Sequence, residues 1–312
     1  MTQPIFPETS DSTLWQPARG LNRFVQRAIV ILFGLFALVS VATTIGIIAS
    51  LIFETIEFFR EVPLWRFLTD TQWTPLFTDA QYGIFVLISA TFLTSIIAIA
   101  VAVPLGLFSA ICLSEYAPRN VRKWLKPALE LLAGVPTVVY GYFALLLVTP
   151  FLRSFAPWIS GFNGLSAGFV LGISITPLIA ALSEDAIYAV PDSLRQGSYA
   201  LGATKRETIL GVVLPAALSG VVASIILAMS RAVGETMIVA IAAGQNPTLG
   251  LNPFVPIATM TAYIVQVSLG DTPAGSLAYK SIFAVGTTLF LITLVLNVFS
   301  FWFVRRFQEK YE

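Results

Sequence analysis

The chain alternates long uncharged apolar runs with short segments that gather its charges. Six runs are long enough to cross a bilayer as helices, at about 28–53, 83–113, 131–152, 164–182, 215–244 and 281–304. A hydrocarbon core about 30 Å thick needs roughly 20 apolar helical residues to span it. The first run exceeds the roughly 7–15 residues of a signal-peptide core and follows a tail of prolines and acids, so it is expected to stay as an anchor. The pattern predicts an all-α membrane protein with six transmembrane helices.

Finer patterning sets further expectations. Pro104, Pro136 and Pro177 fall in the second, third and fourth runs, where proline frees backbone carbonyls, so kinked helices around a pathway are expected. In the fifth run small residues recur every four positions: Gly220, Ser224, Ala228, Ala232, Thr236, Ala240 and Gly244. Such a stripe on one continuous helix admits a close neighbour and predicts a central place in the bundle. "GQNPTLGLNPFVP" (244–256) predicts an irregular loop. The apolar stretch 257–267 is too short to span and predicts a re-entrant or interfacial piece. "FFREVPLWRFLTDTQWTPLF" (58–77) predicts an interfacial aromatic belt over helix ends.

Composition narrows the function. Of 312 residues 56% are hydrophobic and 11% charged, against about 25% charged in soluble domains, and the mean hydropathy is +0.83. A net charge of +1 with no basic arm argues against nucleic-acid binding. One cysteine, Cys112, permits no disulfide framework. The absence of histidine removes His-based triads and most zinc sites. With no clustered carboxylates inside the runs either, a membrane enzyme is disfavoured.

Charge placement orients the chain. Arg19, Arg23 and Arg27 precede the first run. Arg119, Arg122, Lys123 and Lys126 follow the second, Arg195, Lys205 and Arg206 the fourth, and Arg305, Arg306 and Lys310 the sixth. The alternate loops hold Arg60, Arg66, Arg153 and Lys280. Both termini are therefore expected in the cytoplasm. The expected organisation is a cytoplasmic tail (1–27), a first transmembrane helix with an outer aromatic-rich segment (28–81), a transmembrane domain (82–306) containing a cytoplasmic loop (190–215), and a C-terminal tail (307–312).

Two constellations stand out. "AMSRAVGETMIVA" (228–240) places Arg231 and Glu235 inside an apolar run, where ionic groups are costly. On a continuous helix they would lie roughly 6 Å apart in height on one side, with Arg231 about 24 Å beyond Pro215. Two readings stay open: a self-neutralising structural pair, or an Arg231 that lines an anion pathway with Glu235 orienting it. A guanidinium suits oxyanions. Glu130 is expected at the N-terminal end of the third spanning helix, where the dipole favours a carboxylate.

The second constellation is the loop "VPDSLRQGSYALGATKRETILGVVLP" (190–215). Ser193 with Gln196 and Thr204 with Glu207 have capping-box spacing, and Gly202 stands where a helix C-terminus favours a left-handed residue. Two short cytoplasmic helices are expected, with Tyr199 and Leu201 as apolar contacts for a docking partner. No phosphate-binding G-x-x-x-x-G-K-[ST] loop occurs, and "GATKRET" lacks that cradle, so the chain is not itself an ATPase.

Gln196-Gly197-Ser198, three residues, Gly202, nine residues, Val212, one residue, Leu214-Pro215 resembles the cytoplasmic loop of ATP-binding-cassette importer permeases. The family's opening triplet is Glu-Ala-Ala, from which this chain departs. "PLGLFSAICLSEYAP", "ELLAGVPTVVYG", "RAVGETM" and "LFLITLVLNVFSFWFVRR" are similar to the C-type permeases of bacterial phosphate importers. The resemblance implies a type I permease bundle in the bacterial cytoplasmic (inner) membrane, surrounded by lipid. It implies a sister A-type permease, a cytoplasmic ATPase dimer that binds ATP and magnesium, and an extracytoplasmic phosphate-binding protein. Phosphate would be the cargo, and this chain would hold no cofactor. One arginine does not separate phosphate from sulfate or molybdate. An ion-coupled secondary transporter is the rival from another class; it would call for inverted repeats, and none is visible.

Overall fold

The computed structural model describes residues 19–307 apart from Thr78. The expected terminal segments therefore lie outside the described residues at 1–18 and 308–312. Thirteen α-helices occur among the described residues: α1 (Arg19–Glu61), α2 (Leu64–Thr69), α3 (Ile84–Ile111), α4 (Arg119–Ala133), α5 (Thr137–Phe143), α6 (Thr149–Phe155), α7 (Gly164–Tyr188), α8 (Asp192–Ala200), α9 (Lys205–Thr208), α10 (Leu214–Val233), α11 (Met237–Ala242), α12 (Met260–Leu269) and α13 (Leu277–Phe307). Short π-helical turns extend α3 at Cys112–Tyr116, join α5 to α6 at Ala144–Val148, and join α9 to α10 at Ile209–Val213. Among the described residues, six helical segments have the length and apolarity to cross a membrane: Phe24–Glu61, Ile84–Tyr116, Thr137–Phe155, Gly164–Tyr188, Lys205–Val233 and Leu277–Arg306.

The chain divides into two units, Met1–Ile52 and Phe53–Glu312. In the first, apolar side chains point outward on every side of the helix, as at Phe33, Leu38 and Ile45. A helix apolar all round needs lipid or protein about it rather than water.

In the second unit α3 and α7 form the closest pair. A β-carbon on Gly168 would lie 2.8 Å from Cβ of Ile97, and one on Gly172 would lie 2.7 Å from the Ala98 carbonyl oxygen. Where lipid removes any hydrophobic drive between helices, such backbone proximity is what holds them. α10 packs on α7 through Gly220, against Ala186, and through a 2.9 Å hydroxyl hydrogen bond between Ser183 and Ser224. Pro104 lies within α3 and Pro177 within α7, whereas Pro136 serves as the N-cap of α5.

Three expectations need correction. The fifth run is not one helix: α10 ends at Val233 and α11 begins at Met237, so the small-residue stripe is continuous only as far as Ala232. The aromatic stretch is only partly a belt: Trp65 and Phe77 are exposed, while part of it forms a packed core. Phe58, Phe67 and Trp73 are buried, with Phe67 edge-to-face against the other two, Phe58 against Tyr82 and Trp73 against Tyr263, each such pair contributing about 0.5–1.5 kcal/mol. Glu130 lies in the last turn of α4 and not at a helix start, because the backbone breaks at Gly134 and the spanning helix begins only after Pro136. The stretch 257–267 contributes α12, whose first four residues are buried, and the preceding loop is irregular as expected.

Candidate functional site

The 190–215 segment folds as the helix–turn–helix that its capping residues predict, with one difference. Thr204 caps α9 in a complete capping box with Glu207. Ser193, however, is not a cap: Pro191 occupies the N-cap of α8 and Asp192 opens its first turn. The helix starts two residues early because Pro191 holds an extended conformation and Asp192 complements the positive helix end.

Between the two helices, Gly202 has φ +85°. Its amide donates to the Tyr199 carbonyl and that of Ala203 to the Ser198 carbonyl, at 3.0 and 3.2 Å. These are the paired bonds of a Schellman turn. The turn leaves Leu201 90% exposed and Tyr199 43% exposed, an apolar tip on a rigid hairpin. Gln196 and Gly197 are exposed on α8, while the Ser198 hydroxyl bonds to that of Thr208 at 2.9 Å. Val212 lies in the following π turn, and Leu214 and Pro215 open α10.

Arg231 and Glu235 are not brought together. Arg231 is in the last turn of α10, exposed, and has no ion-pair partner among the described residues. The helix stops two residues later. Glu235 turns its carboxylate to the start of α11, accepting from the Met237 and Ile238 amides at 3.2 and 3.4 Å. Its carbonyl accepts from the Thr261 hydroxyl at 2.6 Å, which fastens the break to α12. The one-helix, four-residue geometry expected of the pair is therefore replaced by a cation at one helix end and a capping carboxylate at the next.

Two carboxylates that the sequence did not single out, Glu184 and Glu115, carry charge into the hairpin end of the molecule. Glu184, near the end of α7, is fully buried and is held by Arg122 and Lys126, one turn apart on α4. The ion-paired Glu184 carboxylate is the main cause that raises the Lys126 ammonium above its ordinary range. Arg122 also lies 4.7 Å from the centre of the Tyr188 ring. Glu115 and Arg195 form a second, largely buried ion pair. The spacing of these residues along the chain gives no hint of either pairing; only the basic character of 119–126 was visible.

A family model described as "Binding-protein-dependent transport system inner membrane component" matches residues 102–312. The chain is 36% identical over 270 residues to the probable ABC transporter permease protein YqgH of Bacillus subtilis, covering 86% of this chain and 85% of that one. It is 34% identical to the phosphate transport system permease protein PstC of Mesorhizobium japonicum, covering 78% and 79%. Among solved structures, a chain of a bacterial alginate ABC transporter aligns with a TM-score of 0.61 at 14% identity, covering 93% of this chain and 99% of that one. A chain of the MetNI methionine ABC transporter aligns with 0.53 at 18%, covering 73% and 95%. These two likenesses speak to the fold, that of a type I importer permease. With the family model spanning most of the helical bundle and relatives above 30% identity along most of its length, the chain belongs to the binding-protein-dependent transport system inner membrane components, as a multi-pass transport subunit.

Proposed function

We propose that this chain is the C-type permease of an ATP-driven importer that carries inorganic phosphate across the cytoplasmic membrane. It pairs with an A-type sister permease and receives phosphate from an extracytoplasmic phosphate-binding protein. Its hairpin, around Gly202, docks on a cytoplasmic ATPase dimer whose ATP and magnesium supply the energy. The chain performs no covalent chemistry. The names of relatives such as the Mesorhizobium protein favour phosphate over sulfate or molybdate.

The observation that carries the transport reading is Arg231. An exposed arginine without an ion pair among the described residues, at the far end of a spanning helix from the hairpin, is costly in a membrane protein and marks an ion pathway by default. The helix break leaves its guanidinium unneutralised by Glu235 and available to phosphate oxygens. Glu235 keeps the break in shape instead.

The test is uptake of labelled phosphate by the reconstituted complex, with sulfate and molybdate as competitors. Arg231→Ala should abolish uptake while the partners still co-purify, and Glu235→Gln, which keeps an acceptor for the Met237 amide, should retain most of it. Wild-type uptake by an assembled Arg231→Ala complex would remove Arg231 from the pathway.

A further inference from the structure

The π-helical turn that ends α3 grips both helices of the hairpin. The Glu115 carboxylate accepts from Nη2 and Nε of Arg195, on α8, at 2.9 and 3.2 Å. The Glu115 carbonyl accepts from the Lys205 ammonium, on α9, which also lies 4.6 Å from the centre of the Tyr116 ring. Arg195 further donates to the Ile187 carbonyl at 2.9 Å, to the Val190 carbonyl, and to Asp192 at 3.3 Å. The two ion-paired side chains are only 7% and 14% exposed.

This is more than a surface pair. Exposed ion pairs hold two elements weakly, whereas a buried pair whose donors are all used resists separation, since breaking it leaves a desolvated charge. The π turn supplies the geometry: the Ala117 amide bonds to the Cys112 carbonyl at 2.7 Å, five residues back. The extra residue per turn re-aims the side chains that follow it. α3 itself is locked to α7 by the glycine contacts described above.

We propose that Glu115 is a positioning residue for energy coupling: it makes the hairpin and α3 move as one body, so that displacement of the hairpin reaches the spanning helices without slack. The proposal rests on the transport reading for its functional arm, and its structural arm does not depend on it. Glu115 touches no cargo, and its carboxylate acts through Arg195, while the Lys205 bond is to the backbone carbonyl.

Glu115→Gln and Glu115→Ala separate the possibilities. In the full reconstituted complex, phosphate carried per ATP hydrolysed should fall about tenfold, the size of a modest coupling free energy, while assembly and basal hydrolysis persist. In the chain held in lipid nanodiscs, backbone amides of 192–200 should exchange hydrogen about tenfold faster, with those of 214–233 unchanged. The decisive arm is a Cys112→Ser background carrying Glu115→Cys and Arg195→Cys. Uptake per ATP should be low before, and restored after, bridging the two cysteines with a short bis-maleimide. Unchanged coupling in Glu115→Ala, or a bridge that abolishes uptake in an intact complex, would overturn the proposal. The latter would mean that α8 must swing away from α3. A wild-type complex that carries no phosphate would count against the transport reading, and the exchange measurement would still decide whether Glu115 holds the hairpin.

Discussion

At Gly202 the backbone asks for a conformation that a side chain resists. Nothing lies within 4 Å of where a β-carbon would stand, so a substitution there meets no neighbour and suffers only the positive φ, a cost of about 1–2 kcal/mol. Gly202→Leu should insert normally and lose co-purification with the ATPase, whereas Gly202→Asn, whose side chain tolerates the left-handed region, should keep it. Equal recovery of ATPase with both variants would contradict the requirement. The Glu184 cluster makes a different demand. Arg122→Ala with Lys126→Ala strands a buried carboxylate, costing about 3–5 kcal/mol, so the melting temperature in detergent should fall. Adding Glu184→Gln should recover part of the loss. Because the folded state raises the Lys126 pKa above the ordinary lysine value of 10.5, its share of stability is fully present below that pH and is lost only as pH climbs through the raised value. The Lys126 contribution is thus insensitive to pH across the neutral range.

Among elements, the α3–α7 pair tolerates least. Gly172→Ala would press a methyl group against the Ala98 carbonyl and force the helices apart, at about 1–3 kcal/mol. Gly211→Ala, with open space around it, is the matched control. Thermal melting should separate the two; equal melting points would mean that the contact is slack. The elements also divide by how far they could be read in advance. Spanning helices betray themselves by apolar length, and the hairpin by local chemistry at Thr204, Glu207 and Gly202. The break after Val233 escaped because Gly234 is tolerated inside helices and the apolarity runs on unbroken on either side. Ser193 has capping spacing with Gln196, but the proline two residues before it sets the helix start. Phe58, Phe67 and Trp73 have the same composition whether they form a belt or a core. Glu184 meets Arg122 from a distant part of the chain, which no local pattern encodes. For the candidate site, the residue types were visible but the separation of Arg231 from Glu235 was not.

For the whole molecule, ion pairing follows the partition of charge along the sequence. Lys280 pairs with Glu57 and Glu61, both beside loops that the lysine and arginine bias places outside. Arg122, Lys126 and Arg195 pair with Glu184 and Glu115 on the side assigned to the cytoplasm. A reporter active only outside the cytoplasm should therefore give signal when fused at Asp271 and none at Ser198. Signal at Ser198 would invert the arrangement and detach the hairpin from any cytoplasmic motor. The helix up to Ile52 obeys a looser rule than the rest. From Phe24 on, its apolar side chains point outward all round, so one apolar residue there can stand for another with little consequence, while each charge introduced is expensive. Such a stretch stores its instruction as an average rather than as a text, and its letters are free to drift as long as the average is kept. α7, read at the same scale, is spelled almost letter by letter.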